Sequence, residues 1–437
     1  MRFGYEGAPR EWPSLWRWLG IARADALGLF PRKVYEDQWV EHSILGRRII
    51  VVSDPRSIDH VFGAASKRYE LAPLHLRMLR PALGDGLIVA QGRAWALQRR
   101  LASQLVPRRL DERRIETIEQ SIQRTLDPWI VQSRTAGMSS RRLLDDLMAL
   151  SMDLISKAVF KYDNTVADQG IVERVNAHRD IIERPDIFDL AGLPEGVPSW
   201  RMMRAHKVAH SADHIIERHI GVAASAGSTV DKVEDVGARR RDFVVSMITG
   251  FESVTTTVTW MLAVLASMPD LQESLRDEAR HVDATEVTGW PEACSSRLDA
   301  AIREVLRLFP PLPLVFRRAK EDDLAPTGAI SRGSTVCMSP WIVHRHRRLW
   351  EQPDVFDLSR HLRPLDRPDA YIPFGVGARR CVGMYIGFNL VKQILATILG
   401  QCRLSFDGLA KMPAPRAGVS LRPSTEFRLS FLPVGGQ

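Results

Sequence analysis

An apolar helical pattern from about Asp242 to Met268 constrains the fold of this chain more than any other feature. Pro269 ends the pattern, because proline has no amide proton to donate and its ring clashes with the preceding turn. Asp270 then suits the first turn of a following helix. A helix so apolar belongs in a core, which predicts a mostly helical protein. Other helical patterns cover residues 92–106, 110–134, 139–161, 166–184, 199–225 and 296–308, and a long helix follows residue 381.

Short strand patterns accompany these helices. The stretch HSILGRRIIVVSDPRSIDHVF, within residues 37–62, predicts a hairpin that turns at Gly46 and leads into a helix capped near Ser57. The tail 403–433 alternates apolar and polar residues as strands do. Further short strands are predicted near residues 312–319, 326–330 and 334–339.

The length and composition fit a single globular unit. The chain has 437 residues, enough for a large core, with ordinary shares of hydrophobic (45%) and charged (26%) residues. No Gly/Ser-rich linker divides it. We therefore predict a mainly α protein with small β-sheets, in which an N-terminal extension, 1–36, precedes a single domain, 37–437. Disorder is predicted only for the first few residues, the last few and residues 222–236.

Charge and cysteine usage limit the partners and the location. The net charge of +8 comes from 60 Lys and Arg against 52 Asp and Glu, and its dispersal suits an acidic partner protein and argues against nucleic acid. No apolar run approaches the roughly 20 residues that span a bilayer, and the first residues lack a signal-peptide pattern, so no transmembrane anchor is predicted. The four cysteines form no CxxC pair, which favours a reducing, cytoplasmic location.

The stretch FGVGARRCVG, from Phe374 to Gly383, places Cys381 among cations and flexible residues. Its first two glycines permit turns that other residues avoid, so backbone N–H groups can converge on an anion. The two arginines before the cysteine and the dipole of the helix after it should lower the pKa of the thiol. The pattern therefore predicts an ionised sulfur.

An ionised thiol can be a nucleophile or a metal ligand, and the neighbourhood of Cys381 narrows that choice. A nucleophile needs a base, and no histidine stands nearby in sequence, although a distant one could fold in. Zinc and iron–sulfur clusters need several ligands, whereas His344 and His346 lie too close together and lack matching cysteines. A solitary thiolate favours heme iron.

The same ten residues resemble the heme-binding signature FGxGxRxCxG of the cytochrome P450 family. The matching positions are Phe374, Gly375, Gly377, Arg379, Cys381 and Gly383. The resemblance implies that Cys381 is the axial iron ligand, that Phe374 shields the sulfur, and that Arg379 pairs with a heme propionate. It also implies heme b as cofactor, dioxygen as co-substrate, a heme contact at Gly383 and a single triangular-prism-like domain.

A second segment resembles the structural ExxR motif of that family. In AIREVLRLFPP, Glu304 and Arg307 stand three apart and can pair on one helix face, which alone would be a common surface pair. Their distance from Cys381 is similar to the family's spacing. The stretch WEQPDVFDLSR supplies Arg360 as the third member, with Leu358 in place of the usual proline. The resemblance implies that the glutamate and the two arginines stabilise the fold behind the heme.

Three residues are similar to further propionate contacts. In GRAWALQRRLA, Trp95 and Arg99 stand four apart, as they also would in an ordinary amphipathic helix with a buried tryptophan. Their family counterparts donate hydrogen bonds to a heme propionate. Arg317, in LPLVFRRAKEDD, matches another propionate-binding arginine, and Arg318 is the alternative if the register slips by one.

The long apolar helix contains a segment, TGFESV, similar to the family's oxygen-binding motif. The resemblance implies that Gly250 widens the groove for dioxygen and that Glu252 and Ser253 form the acid–alcohol pair of proton delivery. Glu252 and Ser253 share a helical stripe with Thr249 and Thr256. A hydrogen-bonded kink or a polar seam between helices would also explain such a stripe. Two residues depart from the family, since Thr249 replaces a small residue and Ser253 replaces threonine, keeping the hydroxyl but losing a methyl group.

A substrate pocket follows by analogy with the family, and its mostly apolar lining predicts a hydrophobic small molecule. The predicted lining includes Thr249, Leu76, Leu87, Leu190, Leu314, Val315 and Val419. Terpenoids, fatty acids, steroids and aromatic compounds all stay open as substrates.

The resemblance implies a heme-thiolate monooxygenase that inserts one oxygen atom of dioxygen into a substrate C–H bond. No flavin or nucleotide motif follows Cys381, so we expect electrons to come from a separate donor, a ferredoxin with its NAD(P)H-dependent reductase. We also expect the protein to be a monomer. Arg380 would offer a cationic docking site for that donor. Two alternatives stay open. One is a peroxygenase of the same fold, which typically dispenses with the acid–alcohol pair; the other is a non-enzymatic heme sensor or electron carrier, which needs neither a groove glycine nor a buried acid.

Overall fold

The computed structural model describes residues 1–5, 7–133, 138–160, 169–194, 196–209, 240–281, 294, 296–408 and 411–434. Its α-helices are α1 Leu15–Ala24, α2 Pro55–Asp59, α3 Pro73–Leu83, α4 Gly92–Leu105, α5 Glu112–Ser133, α6 Ser140–Phe160, α7 Gln169–Ile182, α8 Ile187–Leu190, α9 over residues 200–209, α10 Arg240–Ile248, α11 Phe251–Ser267, α12 Pro269–Ala279, α13 Arg297–Leu308, α14 Pro340–Val343 and α15 Met384–Gln401. The strands are β1 Trp39–Ile44, β2 Arg47–Val52, β3 Tyr69–Leu71, β4 Met138–Ser139, β5 Val315–Ala319, β6 Asp323–Ala325, β7 Gly328–Ile330, β8 Thr335–Met338, β9 Cys402–Phe406, β10 Pro415–Ala417, β11 Leu421–Pro423 and β12 Arg428–Pro433. The predicted class, mainly α with small sheets, is confirmed.

The largest sheet has five strands in the order β1–β2–β8–β5–β3. The pair β2–β8 is parallel and the other pairs are antiparallel. The predicted hairpin is present, because Leu45 and Gly46 both adopt positive φ (52° and 72°), as a two-residue type I′ turn requires. The predicted cap near Ser57 is wrong by three residues: Asp54 caps α2 by accepting the backbone N–H of Ser57, and Pro55 begins the helix. The smaller sheets are β4–β12–β9, β6–β7 and β10–β11.

The core surrounds α11, as its apolar sequence predicts. Residues 254–266 of this helix are all buried, and α6, α12, α13, α15 and β9 pack against it. Trp260 stacks on Phe309 with ring centroids 4.3 Å apart and an interplanar angle of 8°. The indole N–H of Trp260 donates to the carbonyl of Leu421 at 3.0 Å, which satisfies its one polar atom. This helix therefore ties the helical core to the C-terminal hairpin β10–β11.

The continuous helix predicted over residues 242–268 is wrong at its middle, where the chain turns at Thr249 and Gly250 between α10 and α11. The Thr249 hydroxyl donates to the carbonyl of Ser246 at 2.7 Å, and the Ser253 N–H reaches only three residues back, to Gly250 O, at 3.1 Å. A hydroxyl that bonds the preceding turn competes with the regular backbone ladder. The interruption lies where the helix borders the large cavity described below.

Length and composition alone would let Asp242–Ser267 cross a membrane, the only such helix among the described residues. However, 72% of its most apolar window is buried inside the protein, as in the core helix of a globular protein.

The N-terminal residues share this core, so the disorder predicted for the first few residues is wrong. The N–H of Phe3 donates to the carbonyl of Asp354 at 2.6 Å, and its ring meets Phe309 edge-on with centroids 5.5 Å apart. Leu27 has no exposed surface. The predicted disorder at residues 222–236, and the part of the predicted 199–225 helix beyond residue 209, lie outside the described residues.

Candidate active site

A cavity of about 600 Å³ lies between α11 and the loop that precedes α15. Its wall is mostly apolar, and Cys381 forms part of one side. Gly250, Glu252 and Ser253 of the α10–α11 region line the same cavity, as does Val419 of the C-terminal hairpin. Segments far apart in sequence are therefore brought together around one space.

The loop before Cys381 has the backbone geometry that its glycines predict. Gly375 and Gly377 have φ of 72° and 67°, values that favour glycine. A Cβ on Gly377 would overlap the carbonyl oxygen of Phe62, so glycine is also required there by close approach. The N–H of Cys381 donates to the carbonyl of Phe374 at 2.9 Å, which holds the loop closed. The sulfur is thereby presented to the cavity.

The electrostatics of Cys381 differ from the prediction. Burial raises the pKa of the thiol, and the N–H of Gly383 and the Arg99 guanidinium oppose that rise. The predicted lowering by Arg379 and Arg380 is wrong, because the guanidinium of Arg379 turns away and donates to the Ala90 carbonyl at 2.6 Å. The accessible surface of Cys381 lies against the cavity. A bound metal cation would have to supply the further stabilisation that a thiolate needs here.

Three arginines line the cavity near Cys381, and none has a carboxylate partner among the described residues. They are Arg99, Arg317 and Arg379. Burial and Arg99 lower the pKa of Arg379 to about 10, and burial and Arg379 lower that of Arg317 to about 10. The guanidinium of Arg379 also lies over the ring of Trp95, 4.8 Å from its centroid. Half-buried cations that repel one another call for anions between them.

The donor set therefore fits a heme. Two propionates would supply the missing negative charge, since guanidinium and indole N–H groups suit carboxylates. A single cysteine sulfur at the cavity wall suits the axial position on iron. The surrounding wall is apolar enough for the porphyrin ring, and Phe374 belongs to it.

The structure distinguishes Arg317 from Arg318. Arg317 lines the cavity, whereas Arg318 pairs with Glu70 of β3, its Nε donating at 2.7 Å. His75, which the sequence reasoning missed, also lines the cavity, and burial together with Arg317 lowers its pKa to about 4. Helical spacing could have found it, because it stands four residues before Leu79 on the cavity side of α3.

Across the cavity, Ser253 and Thr249 face the same space as Cys381. The Thr249 hydroxyl donates to the backbone carbonyl of Ser246. The backbone carbonyl of Ser253 accepts the hydroxyl of Thr257 at 2.7 Å. Thr257, one helical turn after Ser253, also lines the cavity, whereas Thr256, which the sequence places on the same stripe, does not.

Glu252 has partners that the sequence reasoning missed. Its carboxylate accepts the hydroxyl of Ser420 at 2.6 Å and forms an ion pair with Arg422 of β11. Burial alone would raise its pKa, but Arg422 and Arg179 hold that pKa below its ordinary value. No local pattern could have revealed these contacts, because about 170 residues separate the partners in sequence. The acid is therefore anionic and fixed in place in this structure.

The ExxR residues form a buried network away from the cavity. Glu304 and Arg307 are both fully buried and make two bonds of 2.8 Å. Arg307 also donates to three backbone carbonyls in the segment 344–355, at 2.6 to 3.0 Å. Arg360 approaches Glu304 at 3.6 Å, and His361, missed from sequence, lies 3.0 Å from it. Although burial opposes ionisation, Arg307 lowers the pKa of Glu304 to about 2.

The predicted substrate lining is only partly brought together. Leu87, Thr249, Val315 and Val419 line the cavity. Leu76 and Leu314 do not: α3 turns His75, Leu79 and Leu83 toward the cavity, and β5 begins one residue after Leu314. Leu190 lies at the end of α8, and its side chain falls outside the described part of the chain.

The histidines weighed for zinc have structural partners. His344 lies 3.0 Å from the Arg307 carbonyl through Nδ1 and accepts the Ile372 N–H at 2.9 Å through Nε2. Burial holds the pKa of His344 well below its ordinary value. Among the residues described, no group of three or more His, Cys, Asp or Glu side chains could hold a metal ion.

Comparison with known proteins gives a match over nearly the whole chain. Residues 7–431 match the family model described as cytochrome P450. Taurochenodeoxycholic 6 alpha-hydroxylase from Sus scrofa is 24% identical over 428 residues, which is 88% of this chain and 82% of the relative. A 6-coordinated cytochrome P450 from Thermus thermophilus has a TM-score of 0.69 at 21% identity and covers 91% of this chain and 95% of its own. A zebra fish cytochrome P450 solved with progesterone has a TM-score of 0.72 at 18% identity, covering 91% and 96%.

Proposed function

Because the chain belongs to the cytochrome P450 family, we propose that it oxidises a hydrophobic small molecule with dioxygen and with electrons from a separate donor protein. Membership makes it a heme-thiolate monooxygenase with heme b as cofactor and dioxygen as co-substrate. We further propose its substrate class, its electron donor and the roles of individual residues.

One observation carries the proposal most directly. A single apolar cavity contains the Cys381 sulfur on one side and the acid–alcohol pair, Glu252 and Ser253, on another. An electron carrier has no use for an open space bordered by proton-holding groups, whereas an oxygenase needs both. The apolar wall would exclude water and favour a hydrophobic substrate.

The chain's own residues divide the work around the cofactor. When bound, heme supplies the activation of dioxygen for C–H oxidation. Cys381 would hold the iron, with the N–H of Gly383 directed at its sulfur. Trp95 and the three cavity arginines would hold the propionates. These contacts fix the ring orientation, because several donors act from different elements.

Proton handling would involve Ser253 and Glu252. The Ser253 side chain lines the cavity, where its hydroxyl can hold a proton next to the reacting groups. Arg422 and Ser420 both bind Oε1 of Glu252, and the ion pair with Arg422 lowers the pKa of the carboxyl and so disfavours proton uptake. Opening of that ion pair would therefore be part of proton delivery.

A ferredoxin with its NAD(P)H-dependent reductase is the donor we propose. Support comes from the net charge of +8 and from exposed cations at the start of α15. Arg380 is exposed next to Cys381, and Arg108 lies over Tyr385 of the first turn of α15, 5.6 Å from the ring centroid. Such a surface would attract an acidic partner. The cytoplasmic location and the monomeric state stay predictions.

Turnover under two electron sources tests this function. The holoenzyme would be incubated with a ligand that shifts its heme spectrum, either with ferredoxin, reductase, NAD(P)H and air, or with hydrogen peroxide alone. We expect product to form mainly in the first reaction and to carry one oxygen atom from labelled dioxygen. Product only with peroxide would indicate a peroxygenase, and no product from any spectrally binding ligand would indicate a sensor.

A further inference from the structure

Helix α7 presents polar side chains to the otherwise apolar cavity. Arg174, Val175, His178, Arg179 and Ile182 all line it. Their spacing of three and four residues places them on one side of the helix. In a wall made mostly of apolar groups, a buried polar side chain without a partner costs free energy and invites one.

His178 is such a side chain. It is only 8% exposed, and neither ring nitrogen has a hydrogen bond of acceptable geometry with the described residues. The Ala205 backbone approaches the ring closely enough to oppose the lowering of its pKa, but it does not complete such a bond. Burial lowers its pKa to about 4, so the ring is neutral near pH 7. A neutral imidazole still has one N–H to donate.

Arg179, the next residue, has a second unfilled donor. Its Nη1 is buried without a hydrogen-bond partner among the described residues, while its Nη2 donates to the side chain of Asn176. Of the acids that act on its charge, Glu252 lines the cavity but is already engaged by Arg422 and Ser420, whereas Glu183 and Asp180 do not line it. Two neighbouring donors on α7 are thus left for something that enters the cavity.

We propose that His178 and Arg179 bind an acceptor oxygen of the substrate, so that the substrate is a hydrophobic molecule with one carbonyl or carboxylate oxygen. This inference rests on the proposed function and narrows its substrate class. Arg179 can only donate, and the neutral ring of His178 has one N–H donor beside its acceptor nitrogen, so an acceptor oxygen is the ligand group that both residues can bind. The remaining wall selects an apolar body. Holding one end of the molecule would decide which carbon reaches the heme, and so the position of oxidation.

Matched probes measure this contact. Camphor would be compared with bornane, and 2-decanone and decanoate would each be compared with decane. Dissociation constants would come from calorimetry and from the heme absorption shift. The oxygenated member of each pair should bind at least about tenfold more tightly to the unmodified holoenzyme, the value of one well-made hydrogen bond in an apolar site. His178→Phe should remove most of that preference for the ketones, and Arg179→Met should remove more of it for decanoate than for 2-decanone.

Two variants serve as controls. His178→Gln keeps an N–H donor and should restore part of the preference, whereas Ile182→Leu, on the same side of α7, should change both members of a pair equally. Equal loss of hydrocarbon and ketone affinity in His178→Phe would overturn the proposal. So would a ketone affinity that His178→Phe leaves unchanged, or the absence of binding by every oxygenated probe.

Stability separates this role from a structural one. Without ligand, His178→Phe should leave the melting temperature unchanged or raise it, because it replaces an unsatisfied polar group with an apolar one. A lower melting temperature would mean that the ring holds the fold, which contradicts the proposal. Failure here is distinguishable from failure of the proposed function, since the thiolate-type carbon-monoxide spectrum of the unmodified protein tests the latter alone.

Discussion

Replacing Glu304 with glutamine should destabilise the protein by about 3 kcal/mol, without any change at the cavity. Arg307 lowers the pKa of this carboxyl from 4.5 to about 2, and each pKa unit corresponds to about 1.4 kcal/mol. Removal of one partner from a buried ion pair independently costs about 3–5 kcal/mol. The side chain of Arg307, which has no exposed surface, would keep its charge and lose its counterion.

Guanidinium unfolding of the holoenzyme, followed by tryptophan fluorescence and heme absorption, measures that difference. Glu273→Gln is the matched control, because Glu273 and Arg276 have the same i, i+3 spacing but the carboxylate is 46% exposed. Although Arg276 is itself buried, a carboxylate so open to water should contribute less than about 1 kcal/mol. A loss below about 1 kcal/mol for Glu304→Gln would refute the reasoning.

The same pair predicts a pH dependence. The folded-state pKa of Glu304 is depressed, so its stabilisation is fully present above the unfolded pKa of about 4.5 and is lost as the pH falls through about 2. The difference in unfolding free energy between Glu304→Gln and the unmodified protein should therefore shrink below pH 4.5. A difference that stays constant from pH 7 to pH 3 would contradict this assignment.

Three further changes test the cavity. Ser253→Ala should divert reducing equivalents from product to hydrogen peroxide, and unchanged coupling per NAD(P)H consumed would contradict its proton role. Arg422→Leu removes the cation that lowers the pKa of Glu252, so that pKa should rise and the pH profile of coupling should shift to higher pH. An unchanged profile would contradict a role of this ion pair in setting the pKa of Glu252. Gly377→Ala should cost at least about 1–2 kcal/mol and weaken heme retention, because φ is 67° and the methyl group meets a backbone carbonyl. Gly400→Ala, on α15 and outside the cavity wall, meets nothing and should do neither.

Local chemistry explains which features the sequence predicted well. The core helix α11, the i, i+3 spacing of Glu304 and Arg307, and the glycines before Cys381 all depend on neighbouring residues. Period and spacing report such features directly, because a helix repeats its faces every few residues. The fold class and the family could therefore be predicted before any contact was known.

Long-range contacts explain what the sequence could not predict. The side chain of Arg422 meets Glu252 only because β11 folds back over α11. The direction in which the pKa of Cys381 shifts depends on burial, and the two arginines that precede it in the sequence do not reveal how buried the thiol is. Analogy with the family predicts Leu76 in the cavity wall, but the rotation of α3 places His75 there. Rotation and burial are properties of packing, not of the local pattern.

The bond between the Cys381 sulfur and heme iron is tested most directly by the carbon-monoxide difference spectrum of the reduced, purified protein. The unmodified protein should give the thiolate type of spectrum, and Cys381→His should lose it while the protein still binds heme through its arginines and Trp95. A thiolate-type spectrum in Cys381→His, or a nitrogen-ligated spectrum in the unmodified protein, would contradict the assignment of Cys381 as the iron ligand.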